Sequence, residues 1–169
     1  LQQIEHGLAT VLGGYRAMGR LYRGIICPTL RQYVMLGDAT SMTDNLVYSP
    51  ALDSTEHTAM QSGIPDDRWV FTEENPRREL DVAAGLAAAS RVLQASNPEL
   101  AEEALNTAMA LWEGAKASPQ NTRSKIIALA ELILTTEDAA LIEAFIEMKE
   151  DIVKEIAGTG WVIGRVMPL

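Results

Sequence analysis

The chain has 169 residues, is 47% hydrophobic and 5% aromatic, and carries a formal charge of −9 at pH 7. This size and apolar content fit one globular domain, or a segment of a larger one, with a core packed mostly by Ala, Leu and Ile. The acidic charge argues against nucleic acid and anionic membranes as partners, because both attract basic patches, whereas neutral sugars remain compatible with it.

The first predicted element is a helix that runs from the start of the chain to about Met18. Its apolar residues recur at the i, i+3 and i+4 spacing of a buried helical face. They are Leu1, Ile4, Leu8, Val11 and Leu12. Gly19 is expected to end the helix. Because Leu1 already stands inside this pattern with no capping residue before it, we expect the chain to be an excised segment, or a processed or trimmed form of a longer chain.

A long stretch without helical periodicity, about residues 20–77, follows this helix. Structureless connections longer than ~15 residues are uncommon in compact domains, and they are usually functional or disordered. The content of Tyr, Ile, Leu, Met and Trp is too high for disorder. We therefore predict one long ordered, irregular loop, with room for a short strand within residues 22–34. The lone cysteine, Cys27, is interpreted as a buried thiol, which leaves no disulfide framework in the chain.

Alanine-rich amphipathic helices are predicted from Arg77 onward. The first of them has a face of small residues, which lets neighbouring helices approach closely. Asn97 and Pro98 predict the start of the next helix, as its N-cap and its first helical residue, and this helix runs to about Ala117. Another helix is predicted around residues 126–134, where apolar residues dominate.

One more helix is predicted near the end of the chain. Thr135 or Thr136 is expected to cap it. Its predicted core positions are Leu141, Ile142, Phe145, Ile146, Ile152, Val153 and Ile156. Gly158 and Gly160 are expected to end this helix, with residues 161–164 opening another loop. Short connections between the helices favour antiparallel neighbours, so the predicted fold class is all-α.

Four short segments occur in an order that points to one enzyme family. They are Tyr22-Arg23-Gly24-Ile25-Ile26, then Arg68-Trp69 with Thr72, then Asp81-Val82-Ala83-Ala84 with Ala88-Ala89-Ser90-Arg91-Val92, and finally Ala128-Leu129-Ala130-Glu131-Leu132 with Thr136-Glu137-Asp138. In this order they resemble the central part of glycoside hydrolase family 9, the cellulase family with an (α/α)6 barrel. Arg23 and Val82 depart from the family, in which many members have a histidine and a phenylalanine.

The resemblance implies that residues 1–169 are a single fragment of a larger catalytic domain. That domain would be an inverting glycoside hydrolase acting on β-1,4-glucan-like polysaccharides or oligosaccharides. The fragment would form a partial (α/α)6 barrel of antiparallel helical hairpins. Inversion needs a carboxylate base and a carboxylic acid ~6.5–9.5 Å apart. In the family these groups come from an Asp-Ala-Gly-Asp segment before the matching region and a Glu after it.

No catalytic residue is therefore assigned in this chain, and we expect the chain alone to be inactive. Gly37-Asp38-Ala39-Thr40 superficially echoes the family's base segment, but its order and position are wrong, and it is interpreted as a turn. A secreted or periplasmic location is implied only by the resemblance, because no targeting signal is visible in the sequence.

Five residues of the loop are candidates for substrate binding: Tyr22, Arg23, Asp67, Arg68 and Trp69. Trp69 is suited to stacking on a pyranose ring, and the alternative is a packing residue where the helix begins. Asp67 and Arg68 are suited to bonding sugar hydroxyls, and the alternative is an ion pair that fixes the loop. Tyr22 and Arg23 would either line a cleft or cover the apolar underside of the loop.

No metal site and no cofactor are predicted for this chain. Asp66 and Asp67 are acidic neighbours that would suit calcium in the parent enzyme, but two acids are weak support because calcium takes ~6–8 oxygen ligands. His57 lies in a polar stretch without a paired acid, so a catalytic role is not assigned to it. No apolar run is long enough to span a bilayer.

Two other interpretations stay open. One is a non-enzymatic all-α interaction module, against which the long loop argues because solenoids keep their connections short. The other is a fragment of a different α/α-toroid carbohydrate enzyme. The expected partner is a β-glucan-like carbohydrate, with no nucleic acid and no membrane. Apolar helix faces left exposed by an open barrel also predict self-association, which a compact, monodisperse monomer would contradict.

Overall fold

A computed structural model describes residues 1–26, 34–36, 44 and 46–168 of the chain. The chain divides into two units. The helical unit consists of Leu1–Ala17 and the chain from Asn75 onward, and the strand unit is Met18–Glu74. Cys27 and residues 37–40, which carried predictions, lie outside the described residues.

The described part of the chain contains six helices, so the all-α prediction holds in its coarse form. They are α1 Gln2–Met18, α2 Pro76–Leu93, α3 Pro98–Ala115, α4 Thr122–Thr136, α5 Ala139–Glu147 and α6 Lys149–Val166. Among the residues described, none of these helices is long and apolar enough to cross a membrane.

Helices α2 and α3 begin in the same way, with an asparagine N-cap followed by a proline. The side chain of Asn97 accepts a hydrogen bond from the backbone N–H of Leu100, and Pro98 follows as the first helical residue. This confirms the predicted start of α3. Asn75 accepts in the same way from the backbone N–H of Arg78, ahead of Pro76. An asparagine oxygen satisfies one of the first helical N–H groups, and proline removes another.

The predicted cap of the last helix is wrong. Thr135 and Thr136 are the final residues of α4, and their hydroxyls donate to the carbonyls of Glu131 at 2.8 Å and Leu132 at 2.9 Å. A threonine inside a helix can bond back by one turn in this way. Both threonines therefore belong to the end of α4, although the Thr136 hydroxyl also accepts from the backbone N–H of Asp138 at 3.3 Å. Asp138 caps α5 instead, because its side chain accepts from the backbone N–H of Ala140 and of Leu141.

The prediction of one helix that ends at Gly158 is also wrong. The helix breaks at Met148, and α6 then continues through Gly158 to Val166. At Gly158 a Cβ atom would lie 2.7 Å from the Cζ of Arg123, whose Nη2 donates to the Gly158 carbonyl at 3.1 Å. The glycine thus gives room for an arginine rather than ending the helix. Residues 161–164 are helical and not a loop.

The break at Met148 also changes which side of the last helix is buried. Of the predicted core positions, Leu141 is buried, but Ile146, Val153 and Ile156 are 60%, 70% and 50% exposed. The buried residues of α6 are Thr159, Val162, Ile163 and Val166. The prediction assumed one continuous helix and therefore continued the same buried face past Met148. Because the helix breaks there, the residues of α6 bury a different face.

The core of the helical unit lies where α2 packs against α3 and α4, and where α6 and α5 pack against α4. At these contacts, many of the buried side chains of α2 and α3 are alanines, whereas many of those of α4 are branched. The fully buried or nearly buried members include Leu80, Ala83, Ala87, Ala101, Ala104, Ala108, Ile126, Leu129 and Ile133. Small side chains on α2 and α3 allow the close approach that the alanine-rich pattern predicted.

A buried carboxylate joins three of these helices. Glu131 on α4 is 5% exposed. Its Oε2 accepts from Arg91 Nη2 on α2 at 2.7 Å, and its Oε1 accepts from Arg165 Nη1 on α6 at 2.6 Å. Arg91 also donates through Nη1 to the hydroxyl of Thr135 at 2.7 Å. Each oxygen of the buried carboxylate therefore has a cationic partner, which is the condition under which a buried charge is tolerated.

The second unit is not an irregular loop throughout, which corrects the prediction for residues 20–77. Its described strands are β1 Tyr22–Ile26, β2 Val34–Leu36, β3 Val47–Tyr48, β4 His57–Thr58, β5 Gln61–Ser62 and β6 Arg68–Thr72. They form one sheet in the order β1-β6-β2, antiparallel throughout, and another in the order β3-β5-β4. In the second sheet, β3 pairs with β5 in parallel and β4 pairs with β5 antiparallel.

At Gly63 in the strand unit, a close approach of two backbone segments leaves no room for a side chain. A Cβ atom on Gly63 would lie 1.9 Å from the carbonyl oxygen of Asp53. The Gly63 N–H donates to the carbonyl of Glu56 at 3.1 Å. Because the obstructing atoms belong to the backbone, no larger residue fits here without moving the chain. The turn after β5 therefore requires glycine at this position.

We predict that Glu131→Ala destabilises the helical unit by about 3 kcal/mol, because it leaves Arg91 and Arg165 without their buried partner. This value is the lower end of the destabilisation usual for a broken buried ion pair, because Arg165 is partly exposed. The free energy of unfolding in urea measures the effect. Glu143→Ala, at an exposed position of α5, is the control and should change stability by less than about 0.5 kcal/mol. Equal effects of the two substitutions would show that the buried pairs contribute nothing.

Candidate functional site

The strand pair β1–β6 brings together the segments that hold four of the five predicted binding residues. Tyr22 pairs with Thr72, and Ile26 pairs with Trp69, in an antiparallel register with an irregularity between Tyr22 and Gly24. On the other side of β6, Leu36 pairs with Arg68. The backbone of each candidate segment is thus held in one sheet. The side chains of Arg68 and Trp69 lie outside the described part of the structure.

Arg23 has two partners on this sheet that the sequence analysis missed. Its Nη1 donates to Glu73 Oε2 at 2.7 Å, although the two residues are 50 positions apart. Its guanidinium carbon also lies 5.8 Å from the centre of the Phe71 ring. The side chain is 58% exposed, so the charge is oriented at the surface rather than buried. A guanidinium has five N–H donors, and those not used by Glu73 face a solvent-accessible surface.

Asp67 lies inside the strand unit. It is 6% exposed, and its Oδ2 accepts from the backbone N–H of Tyr48 at 2.6 Å. A short bond to a charged acceptor is stronger than a neutral one, so this contact ties β3 to the chain that leads into β6. The structure therefore gives Asp67 a fixing role, by way of a backbone N–H rather than the ion pair that the sequence suggested as the alternative.

The carboxylates of Asp66 and Asp44 also accept hydrogen bonds from backbone N–H groups. Asp66 Oδ2 accepts from the N–H of Asp44 at 2.7 Å, and Asp44 Oδ1 accepts from the N–H of Leu46 at 2.8 Å. The pKa of Asp44 is lowered, first by a hydrogen bond from Ser62 and then by the Leu46 N–H. These bonds favour the charged form of the carboxyl.

The acidic residues that the structure describes in this unit do not form a metal-binding group. Across residues 1–26, 34–36, 44 and 46–168, no cluster of three or more His, Cys, Asp or Glu side chains has an arrangement that could hold an ion. The calcium site considered for Asp66 and Asp67 has no support in the described structure, and calcium in the parent enzyme stays a prediction.

The side chain of Asp53 also stabilises a turn of the strand unit. Its Oδ1 accepts from the backbone N–H of Thr55 at 3.1 Å and from the hydroxyl of Thr55 at 3.0 Å. Both bonds lower the pKa of Asp53, the backbone bond more than the hydroxyl. The turn also lies where the Asp53 backbone closely approaches Gly63, so this carboxylate helps to hold the backbone on one side of that approach.

The groups that this sheet exposes include a guanidinium over an aromatic ring. Arg23 presents N–H donors at the surface, and Phe71 presents an aromatic ring beneath them. Donors and aromatic faces are the groups that recognise sugar hydroxyls and the apolar C–H faces of pyranose rings. Tyr22, on the same strand as Arg23, is partly exposed. Trp69, Phe71 and Glu73 are spaced by two, which places them on one face of a strand. This spacing was the sequence signal for the partners of Arg23.

Comparison of the chain with protein-family models, with curated proteins and with solved structures gave no significant match in any of the three.

We predict that Asp53 titrates below its ordinary pKa of 3.8 in the folded chain. Because the folded-state pKa is lowered, the stabilising contribution of this carboxylate is complete above that value, and it disappears as the pH falls through the lower folded-state pKa. Carbon-13 NMR of the side-chain carboxyl as a function of pH measures the titration. Thr55→Val, which removes the hydroxyl but keeps the N–H, should move the pKa part of the way up. Titration of the unsubstituted chain at or above 3.8 would contradict the prediction.

Proposed function

We propose that this chain is a segment of a glycoside hydrolase and binds β-1,4-glucan-like chains on its strand unit. One observation carries the proposal: β1 pairs antiparallel with β6, which joins the Tyr22–Ile26 and Arg68–Thr72 segments. These are the two loop segments in which the sequence resembles the cellulase family. A chance likeness in two separate stretches does not require that they be neighbours in space.

The helical unit supports the same proposal at the level of architecture. The helices α2 and α3 are joined by a short connection and pack along each other, as do α4 and its neighbours. Such hairpins are the building blocks of an (α/α)6 barrel, and we propose that these helices are part of one. The same proposal extends to a parent enzyme that is secreted or periplasmic.

In this proposal the chain contributes binding groups and not the reacting groups. An inverting hydrolase needs an acid and a base on opposite sides of the sugar, ~6.5–9.5 Å apart. The carboxylates of the strand unit described above are used otherwise: Asp66 and Asp67 accept backbone N–H groups, and Glu73 pairs with Arg23. Trp69 is proposed as the stacking residue, and Arg23 as a donor to sugar hydroxyls.

The test is binding of cellohexaose to the purified chain, followed by isothermal titration calorimetry. We predict saturable binding without release of reducing ends. Trp69→Ala should weaken binding about tenfold, equivalent to about 1.4 kcal/mol for a lost stacking contact. Trp161→Ala is the matched control, since Trp161 is 58% exposed on α6 in the other unit, and it should leave the affinity unchanged.

Two outcomes would contradict the proposal. Glucan binding that is equally weakened by Trp69→Ala and Trp161→Ala would remove the strand unit as the binding surface. Turnover of a soluble glucan by the chain itself, lost on substitution of one of its own acids, would show that the reacting carboxylates lie within these 169 residues.

The exposed apolar side chains on α5 and α6 favour a second candidate, an all-α interaction module. Val153 and Trp161 are 70% and 58% exposed, more than most large apolar residues of the described chain. Self-association through these faces stays a prediction. Concentration-dependent association in a chain that binds no glucan would favour this second function over the first.

A further inference from the structure

Helix α6 has two faces rich in apolar residues, and within the described chain only one of them is covered. The covered face holds the buried residues of α6 and packs against α4. The other face is called here the outer face of α6. Its members recur three or four positions apart, so they lie together along one side of the helix over about 16 Å. They are Val153, Ile156, Ala157, Gly160, Trp161 and Gly164.

The outer face of α6 exposes large apolar side chains to water. Val153, Ile156 and Trp161 are 70%, 50% and 58% exposed. A single exposed apolar residue is ordinary, whereas several on one face of one helix mark a surface that another protein surface covers. The large residues of this face would therefore be buried on association.

The small residues of the outer face indicate that a helix covers it. Ala157, Gly160 and Gly164 follow one another at intervals of three and four positions. A Cβ atom on Gly160 would meet only Ile156 of its own helix, at 3.8 Å, so the space above this glycine is open. The backbone of a second helix can therefore approach to the short end of the ~8–10 Å distance between packed helices.

The order of large and small residues indicates that the second helix is α6 of another copy. Two α6 helices can pack antiparallel about the middle of the outer face, so that each large side chain meets a gap or an apolar partner. Each contact then occurs twice, as the two-fold symmetry of most homodimers requires. The facing pairs would be Val153 with Gly164, Ile156 with Trp161, and Ala157 with Gly160.

Charge favours the same orientation. Helix α6 has Glu150 and Asp151 in its first turn and Arg165 in its last. Antiparallel packing places the acidic turn of one copy beside Arg165 of the other, and it sets opposite ends of the two helix dipoles side by side. Arg165 uses Nη1 for Glu131, but its side chain is 43% exposed and still reaches the surface. Parallel packing would instead bring like charges together.

We propose that two copies of this chain form a dimer through antiparallel packing of the outer faces of their α6 helices. The proposal identifies the surface for the self-association given above as the second candidate function, and it rests on that candidate. It does not depend on glucan binding, because its residues lie on the helical unit. Since one helix from each copy forms the contact, we expect an interface below the standard ~1,600 Å² and a reversible dimer.

Sedimentation equilibrium of the chain between about 1 µM and about 1 mM tests the proposal. We predict a reversible monomer–dimer equilibrium that Val153→Ser weakens at least about tenfold, because it removes a buried apolar contact from both halves of the interface. The matched control is Val92→Ser, at a valine of α2 that is 51% exposed. It should change the dimer dissociation constant less than about twofold.

A second variant separates dimerisation from folding. Gly160→Leu should weaken the dimer at least about tenfold by holding the two helices apart. Leucine favours a helix more than glycine does, so the monomer should keep its helix content and its melting temperature by circular dichroism. Gly114→Leu is the control, because Gly114 is an exposed glycine of α3 with no atom within 4 Å of an added Cβ. It should leave the dimer unchanged.

Disulfide formation tests the orientation, in a chain that carries Cys27→Ser to remove its native thiol. A mixture of Ala157→Cys and Gly160→Cys chains should form mixed disulfide dimers faster than either variant forms dimers alone, because antiparallel packing puts these positions opposite each other. Faster pairing of each variant with itself would indicate parallel packing and overturn the proposal.

Two results in the centrifuge would also overturn it. A chain that stays monomeric over the whole concentration range would exclude the dimer and the self-association together. Association that Val153→Ser and Gly160→Leu leave unchanged would exclude the outer face of α6, while self-association through another surface would stand. Neither result bears on cellohexaose binding, which is measured separately by calorimetry.

Discussion

The helical unit depends on the buried carboxylate of Glu131. Helix α4 packs against α2, α3, α5 and α6, and Glu131 lies on it with one oxygen bonded to Arg91 and the other to Arg165. Burying a carboxylate is unfavourable by several kcal/mol unless partners with good geometry offset it. Apolar packing alone would tolerate small shifts of one helix along another, whereas a carboxylate with a fixed partner on each side does not. The network therefore joins α2 and α6 to α4 through ion pairs, and the Thr135 hydroxyl extends it by accepting from Arg91.

The described carboxylates of this acidic chain differ in physical role, and three groups of them show the contrast. Glu131 is buried and paired with arginines. Asp67, Asp66 and Asp53 accept backbone N–H groups and fix turns of the strand unit. Glu99 and Glu102 remain exposed on α3, without an ion-pair partner in the described chain. The first two roles hold parts of the folded chain together, and the third leaves solvated charge on the surface. Net charge alone does not distinguish these roles, because all these residues contribute equally to it.

Local signals in the sequence predicted what local physics determines. The helix α1 and the Asn97-Pro98 start of α3 depend on residues within one or two turns, and both are confirmed. Of the predicted apolar face of α1, Leu8 and Leu12 are buried, whereas Leu1 is 63% exposed. The passage of α6 through Gly158 involves a contact with Arg123, far away in sequence, and was missed. The break at Met148 was missed too. The strands of residues 20–77 pair across tens of residues, as Arg23 and Glu73 do across 50, so a window of neighbouring residues carries little of that signal. Of the candidate site, the sequence identified the segments that pair, but not the partners of Arg23 or the inward position of Asp67.

Native-state hydrogen exchange of the intact chain tests the central claim, that Glu131 makes α2, α4 and α6 one cooperative unit. The account predicts that the slowest amides of the three helices share a single opening free energy, and that Arg165→Met, which removes one side of the network, lowers it in all three together. Opening of α6 at a free energy well below that of α2 and α4 in the unsubstituted chain would contradict the account, because α6 would then be held by its apolar contacts alone.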